Sequence, residues 1–248
     1  MILEKNTPKD RIILALDVDT LDEAKKLVSD LREYVGIFKV GLQLFTAVGP
    51  EIVKFIHDEG AQVFFDGKFH DIPNTVAKAT TNIVKHGATF FNVHTLGGSK
   101  MISSAIKAAK ETSKQYDLPK PIVLGVTILT SIGQEMITEE LKITKNIHEY
   151  VGELAALAKE SGLDGVVASA ADVSQVRKYC GEDFVIVCPA IRPQWSSLND
   201  QTRVVTPTDA IKAGADYLVI GRPITDATDP KEAARKVLEE VTEAVKSL

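Results

Sequence analysis

Residues 63–75 read VFFDGKFHDIPNT and gather Asp66, Lys68 and Asp71, two carboxylates and one ammonium, within six positions. An apolar run enters this cluster and Pro73-Asn74-Thr75, a helix-start signal, leaves it, which is the pattern of a buried strand feeding a helix. Strand geometry puts Asp66 and Lys68 on one side, roughly 7 Å apart along the strand. The same reading places Val63 and Phe65 with them, and Phe64 and Gly67 on the opposite side. Ionised groups at the end of a buried strand are costly unless they compensate one another or serve chemistry. The cluster is therefore read as a site, and its strand-to-helix passage as one unit of an α/β fold.

Outward from this unit, apolar β-rich runs alternate with helix-patterned segments along the whole chain, without a low-complexity linker. Strands are expected at 11–18, 36–40, 62–68, 89–94, 122–128, 165–169, 184–188 and 217–221. Helices are expected at 21–34, 50–60, 74–87, 99–115, 146–162, 171–180, 206–215 and 229–248, several of them closing on glycine. Eight such strands in 248 residues point to a (β/α)8 TIM barrel, one catalytic domain over 1–248. An open doubly wound sheet is the alternative; it usually carries a glycine-rich first turn, and LDVDTLDEA has none.

With 44% apolar and 25% charged residues the composition is that of an ordinary globular protein. A net charge of −5 argues against a nucleic-acid or membrane-surface partner, so an anionic ligand must meet local positive charge. No run reaches the roughly 18 apolar residues of a membrane span, and MILEKNTPKD lacks the apolar core of a secretion signal, which makes a cytoplasmic location the expectation. Cys180 and Cys188 read as small core residues, because no second pair completes a zinc site.

A barrel places its chemistry at the C-terminal ends of its strands. Asp17 closes the first expected strand, Lys39 the second, Asp66 and Lys68 the third and His94 the fourth; Thr127 and Thr130 follow the fifth and Arg222 the eighth. Singly, Asp17 reads as a helix cap and Lys39 as a surface lysine; their repetition at one rim is the signal. The segment YLVIGRPIT sets Gly221 and Arg222 where these barrels bind phosphate, with Pro223 able to start a short helix. The long stretch PAIRPQWSSLNDQTRVVTP adds Arg192, Gln201 and Arg203, and reads either as a phosphate-gripping lid at about 190–206 or as an exposed polar loop. A lysine between carboxylates is favoured as its ammonium, which suits a general acid better than a Schiff-base amine. The five histidines lack metal-ligand spacing, and no nucleophile elbow or dinucleotide fingerprint is present. Chemistry without metal or organic cofactor is the simplest inference; His70 and His94, near the rim, read as supporting groups.

In order along the chain, LDV at 16–18, FKVG at 38–41, DGKFHDIPNTV at 66–76, VTILTS at 126–131, IRP at 191–193, DQTRVVTP at 200–207 and IGRPIT at 220–225 resemble orotidine 5′-phosphate decarboxylase of the bacterial type, the last enzyme of UMP synthesis. The resemblance implies that Lys68 protonates C6 of the pyrimidine as carbon dioxide leaves, with Asp66 against the substrate carboxylate. It implies that Lys39 and Asp17 hold the ribose hydroxyls and the charge network, and that Thr130 faces the pyrimidine edge. Gln201, Arg192, Gly221 and Arg222 match phosphate and lid contacts. Family members are homodimers that share active sites, so Asp71 and Thr75 are expected in the neighbour's pocket; no metal or organic cofactor is used.

Two departures stand out. Gly67 replaces a common leucine, which is expected to remove packing outside the barrel and loosen the strand, and Trp195 stands in a lid expected to be richer in glycine. Two rivals remain. A magnesium-dependent 3-keto-L-gulonate 6-phosphate decarboxylase shares the Asp-x-Lys-x-x-Asp pattern, but that family has a metal-binding glutamate where this chain has Lys39. A non-catalytic phosphate-ligand sensor would need Arg222 and the lid but not the charged array.

Overall fold

The structure, a computed structural model, describes residues 7–196 and 205–248. Its strands are β1 (Ile12–Ala15), β2 (Ile37–Gly41), β3 (Gln62–Phe69), β4 (Phe90–His94), β5 (Ile122–Val126), β6 (Gly165–Val167), β7 (Val185–Cys188) and β8 (Tyr217–Ile220). All pair in parallel with their sequence neighbours, and β8 pairs back to β1, closing the barrel. Around it run α1 (Leu21–Leu31), α2 (Leu42–Val48), α3 (Glu51–Asp58), α4 (Pro73–Lys85), α5 (Gly98–Tyr116), α6 (Gln134–Glu139), α7 (Ile147–Glu160), α8 (Val173–Cys180), α9 (Pro207–Lys212), α10 (Arg222–Thr225) and α11 (Pro230–Lys246). The eight expected strands are all present, with ends displaced by up to three residues. Of the helices, α2 and α6 were not legible. Helix α2 follows β2 without a break, and its Gly41 N-cap supplies no side-chain capping bond to mark the boundary.

Alternation along each strand divides the core in two. Ile13, Ala15, Ile37, Phe64, Phe90, Ile122, Leu124, Val185, Val187, Tyr217 and Val219 fill the barrel. The intervening residues, Leu14, Phe38, Val63, Phe65, Phe91 and Ile186 among them, face the helices. Positions 64, 66 and 68 form one series, so Phe64 points inward with Asp66 and Lys68 while Val63 and Phe65 point out with Gly67. This reverses the expected siding of Val63, Phe64 and Phe65, since residues two apart share a face. Phe90 packs between Phe64 and Tyr217, at ring-centroid distances of 6.1 and 5.3 Å, and plugs the interior. Each such ring contributes about 1.5–3 kcal/mol by burial. The polar groups of the third strand are thereby confined to the C-terminal mouth.

Both cysteines are buried and free, and burial pushes the Cys188 thiol up to about 12. Among the described residues no helix is long and apolar enough to cross a membrane. Since the thiolate is the reactive form, neither cysteine should react with Ellman's reagent at pH 8 in the native protein, and both should react after unfolding in guanidinium. A thiol titrated in the native state would contradict this packing.

Candidate active site

The third strand does not run evenly to its end. Phe65 pairs with Phe91 and Phe69 with Val93, so four steps along β3 match two along β4. The surplus forms a bulge at Asp66, Gly67 and Lys68, and Lys68 takes a left-handed backbone at φ 46°. Such a conformation is uncommon for a residue with a side chain and persists only where its surroundings hold it. Here the hold is Asn92, inward-facing on β4 and fully buried. Lys68 N–H donates to Asn92 Oδ1 at 2.7 Å, and Asn92 Nδ2 donates to Asp66 Oδ1 at 2.7 Å.

The bulge folds the Lys68 side chain back on its neighbour, so the groups expected roughly 7 Å apart along a regular strand meet through Lys68 Nζ and Asp66 Oδ1 at 2.8 Å. Across the barrel mouth Lys39 Nζ lies 3.5 Å from Asp66 Oδ2 and 3.2 Å from Asp17 Oδ1. The result is an alternating row, Asp17, Lys39, Asp66, Lys68, drawn from the ends of three strands. The side chains of Lys39 and Asp66 are only 11% and 13% exposed, so charge compensation there acts with little help from water.

Lys39, Asp66 and Lys68 of this row line a cavity otherwise largely apolar, with Val126, Ile128, Leu129, Val167, Ala168 and Val219, and with Thr130 and Ser169 at its polar edge. Thr127, expected at this rim, is buried and donates to Val167 O at 3.2 Å, so it joins strands rather than lining the cavity. Gly221 abuts β1: a Cβ there would lie 3.3 Å from Ala15 Cβ and 3.8 Å from Asp17 Oδ2. Arg222 opens α10 beside it. Arg192 is buried, and its backbone N–H donates to Val205 O at 3.0 Å, pinning the two ends of the segment after β7. Gln201 and Arg203 lie outside the described residues. Trp195 faces α11, with Lys236 Nζ 5.9 Å from the ring centroid.

Asp71 and Thr75 are not brought to Lys68 of their own chain. Both are exposed; Asp71 Oδ1 accepts from Ile72 N–H at 2.6 Å and borders a separate surface hollow with His70, Pro73, Leu96 and Gly97. Ile72 beside it is 67% exposed. His94 stacks near His70, with centroids 5.1 Å apart, and its Nδ1 is buried with no hydrogen-bond partner among the described residues. Burial lowers the His94 pKa, with the charges of His70 and Lys68 acting the same way and Asp66 opposing. His94 is therefore biased toward its neutral form beside the array.

Asn92 was not singled out from the sequence. The available signal was an amide in the middle of the apolar strand FFNVH, a position where a polar side chain must find partners inside the barrel. Gly67 also differs from expectation. A Cβ there would fall 2.2 Å from Cε1 of Phe65, because the Phe65 ring already occupies that space and packs edge-on to Phe45 at 4.8 Å. The missing side chain is filled by a neighbour, and the strand is not left loose. Gly67→Leu should cost about 1–3 kcal/mol in urea denaturation by overpacking, and Phe65→Leu in the same chain should restore at least half of that. Strict additivity of the two changes would refute the shared space.

The sequence profile of the orotidine 5′-phosphate decarboxylase / HUMPS family matches residues 10–237. The orotidine 5′-phosphate decarboxylase of Moorella thermoacetica is 48% identical over 233 residues, covering 94% of this chain and 92% of that one. That of Syntrophotalea carbinolica is 48% identical over 235 residues, covering 95% and 96%. The crystal structure of orotidine 5′-phosphate decarboxylase from Lactobacillus acidophilus superposes with a TM-score of 0.82 at 37% identity, over 94% of this chain and 99% of that one.

Proposed function

The chain belongs to the orotidine 5′-phosphate decarboxylase / HUMPS family, and from that premise we propose that it converts orotidine 5′-phosphate to UMP and carbon dioxide, with Lys68 delivering the proton to C6. The observation that carries the proposal is the row of Asp17, Lys39, Asp66 and Lys68, of which the last three line the barrel-mouth cavity. The pyrimidine lies in the cavity with its carboxylate against Asp66 and its edge toward Thr130, while Lys39 and Asp17 meet the ribose hydroxyls. The phosphate reaches Gly221 and Arg222, with Arg192 and Gln201 contributing from the segment after β7.

In the reaction the bond from C6 to the carboxylate carbon breaks, its electron pair stays in an in-plane orbital on C6, and that pair takes a proton from the Lys68 ammonium. A donor held next to the developing charge is worth more than one that must reorganise. Lys68 is so held, anchored at its backbone by Asn92 and at its ammonium by Asp66. The magnesium-dependent rival is disfavoured by charge, since Lys39 stands among the carboxylates that a divalent cation would need. A sensor of phosphate ligands has no use for the array.

The placement of Asp71 and Thr75 supports a homodimer with shared sites. Asp71 borders a surface hollow beside exposed Ile72 and Leu96, and Thr75 is exposed four residues on, so a second copy can cover apolar surface there and receive the two polar groups.

Two measurements test this reading. With excess EDTA, purified protein should deplete orotidine 5′-phosphate absorbance, and Lys68→Ala should reduce turnover by at least about 10⁴-fold while retaining UMP binding. Near-normal turnover in that variant removes Lys68 from the chemistry, and dependence on added magnesium moves the protein to the rival activity. Mixing inactive Lys68→Ala with inactive Asp71→Asn should restore about one quarter of wild-type activity, since each mixed dimer regains one intact site. No recovery after subunit exchange would exclude sharing of Asp71.

A further inference from the structure

We infer that Asn92 is a positioning residue of this site: its amide locks the bulged Lys68 backbone to the Asp66 carboxylate and thereby aims the Lys68 ammonium. The inference rests on the decarboxylase reading for its kinetic consequence, but its structural content stands on geometry.

A bulge that offsets β3 against β4 by two residues interrupts the ladder, and the N–H of the bulged residue needs a partner elsewhere. Asn92 supplies it from inside the barrel, on the strand across from the bulge. The same amide reaches the carboxylate that Lys68 Nζ grips. The orientation of the amide is fixed by its surroundings, because the reverse would set its oxygen against Asp66 and its NH2 against a backbone N–H. One side chain therefore closes a ring through Lys68 N, Asn92, Asp66 and Lys68 Nζ. Without it, the left-handed Lys68 loses its anchor and Asp66 loses one of its donors. Alanine would leave a void, and leucine would keep the volume while removing both bonds.

Aspartate is the informative replacement. It has the size of asparagine and still accepts from Lys68 N–H, but its second oxygen faces Asp66 Oδ1, at 2.7 Å in the native pair. Only with a proton on that oxygen can it reproduce the native contact. The charged groups around position 92 are Asp66 and Lys68 on β3, Lys39 on β2 beyond Asp66, and His94 two residues along β4, with His70 stacked on it. The other flanking strand, β5, pairs Leu124 with Asn92 and Val126 with His94, and neither titrates.

The test uses the full-length protein and compares wild type, Asn92→Leu and Asn92→Asp. Asn92→Leu is expected to lower kcat about 100-fold, the scale of a misplacement near 1 Å, with KM changed less than threefold. Asn92→Asp is expected to recover most of the wild-type kcat at pH 5.5 and to lose it through one added ionisation as pH rises, a step the wild type lacks. Protection of the Lys68 amide against hydrogen exchange should fall in Asn92→Leu and persist in Asn92→Asp at low pH. Wild-type kcat in Asn92→Leu overturns the inference, as does an Asn92→Asp profile parallel to wild type or equally depressed at every pH. If Asn92→Leu does not fold, the Asn92→Asp profile decides. Failure of the wild type itself to consume orotidine 5′-phosphate defeats the decarboxylase reading alone, since the amide protection still reports the tether.

Discussion

A carboxylate that has given up most of its water at the mouth of an apolar barrel needs several donors at once, and Asp66 has them. Lys68 and Asn92 converge on one oxygen and Lys39 approaches the other. Removing any single partner from such a group leaves charge uncompensated, which generally costs more than the pair contributes when whole. The same condition explains why the three donors come from three strands. Parallel pairing sets the ends of β2, β3 and β4 side by side, and closure of the barrel keeps the interior below them filled by Phe64, Phe90 and Tyr217.

Local irregularity does the rest. On a regular strand, side chains two residues apart stand side by side and do not turn on one another. The bulge at Asp66 to Lys68 breaks that rule and lets a lysine fold onto the aspartate before it. The outward face of the bulge is closed by Phe65, whose ring lies over Gly67 between Phe45 and Phe69. Inside, Asn92 takes the hydrogen bond that the offset ladder cannot. Strain at Lys68 is thus bracketed by an aromatic packing on one side and a buried amide on the other, and the site inherits its rigidity from both.

Most of the fold was legible because parallel strands buried on both faces announce themselves as short apolar runs between helical segments, and all eight did. Short helices such as α2 and α6 were not, since at seven and six residues they carry no side-chain caps to mark their starts. The members of the charged row were legible as polar residues ending apolar runs. Their pairing was not, because the bulge and the sign of φ at Lys68 depend on tertiary contacts. The inward series 64, 66, 68 follows from parity alone, since residues two apart on a strand share a face. Asn92 gives a weak sequence signal because a lone amide in a strand usually means less than a charge, whereas here it is the partner on which two charges depend. Asp71 is close to Lys68 in sequence, but the turn into α4 carries it to a different surface of its own chain, consistent with its expected place in a neighbour's pocket.

The arrangement also bears on how the barrier is lowered. Two carboxylates and two ammoniums make the row formally neutral, so a bound substrate carboxylate brings one net negative charge. In the proposed reaction that charge is conserved: it resides on the carboxylate, then on C6, and finally as the missing proton of Lys68. Two like charges at 4 Å repel by about 4 kcal/mol at an effective dielectric of 20, and enzymes lower barriers by roughly 8–23 kcal/mol. With the substrate carboxylate placed against Asp66 as proposed, their repulsion supplies a minor share at most, and the nearby ammoniums offset part of it. Most of the stabilisation must come from an ammonium already in place where the charge arrives. On the proposed mechanism, that requirement accounts for a lysine tethered at both its backbone and its tip, since a freely rotating one would have to be ordered at the moment of reaction.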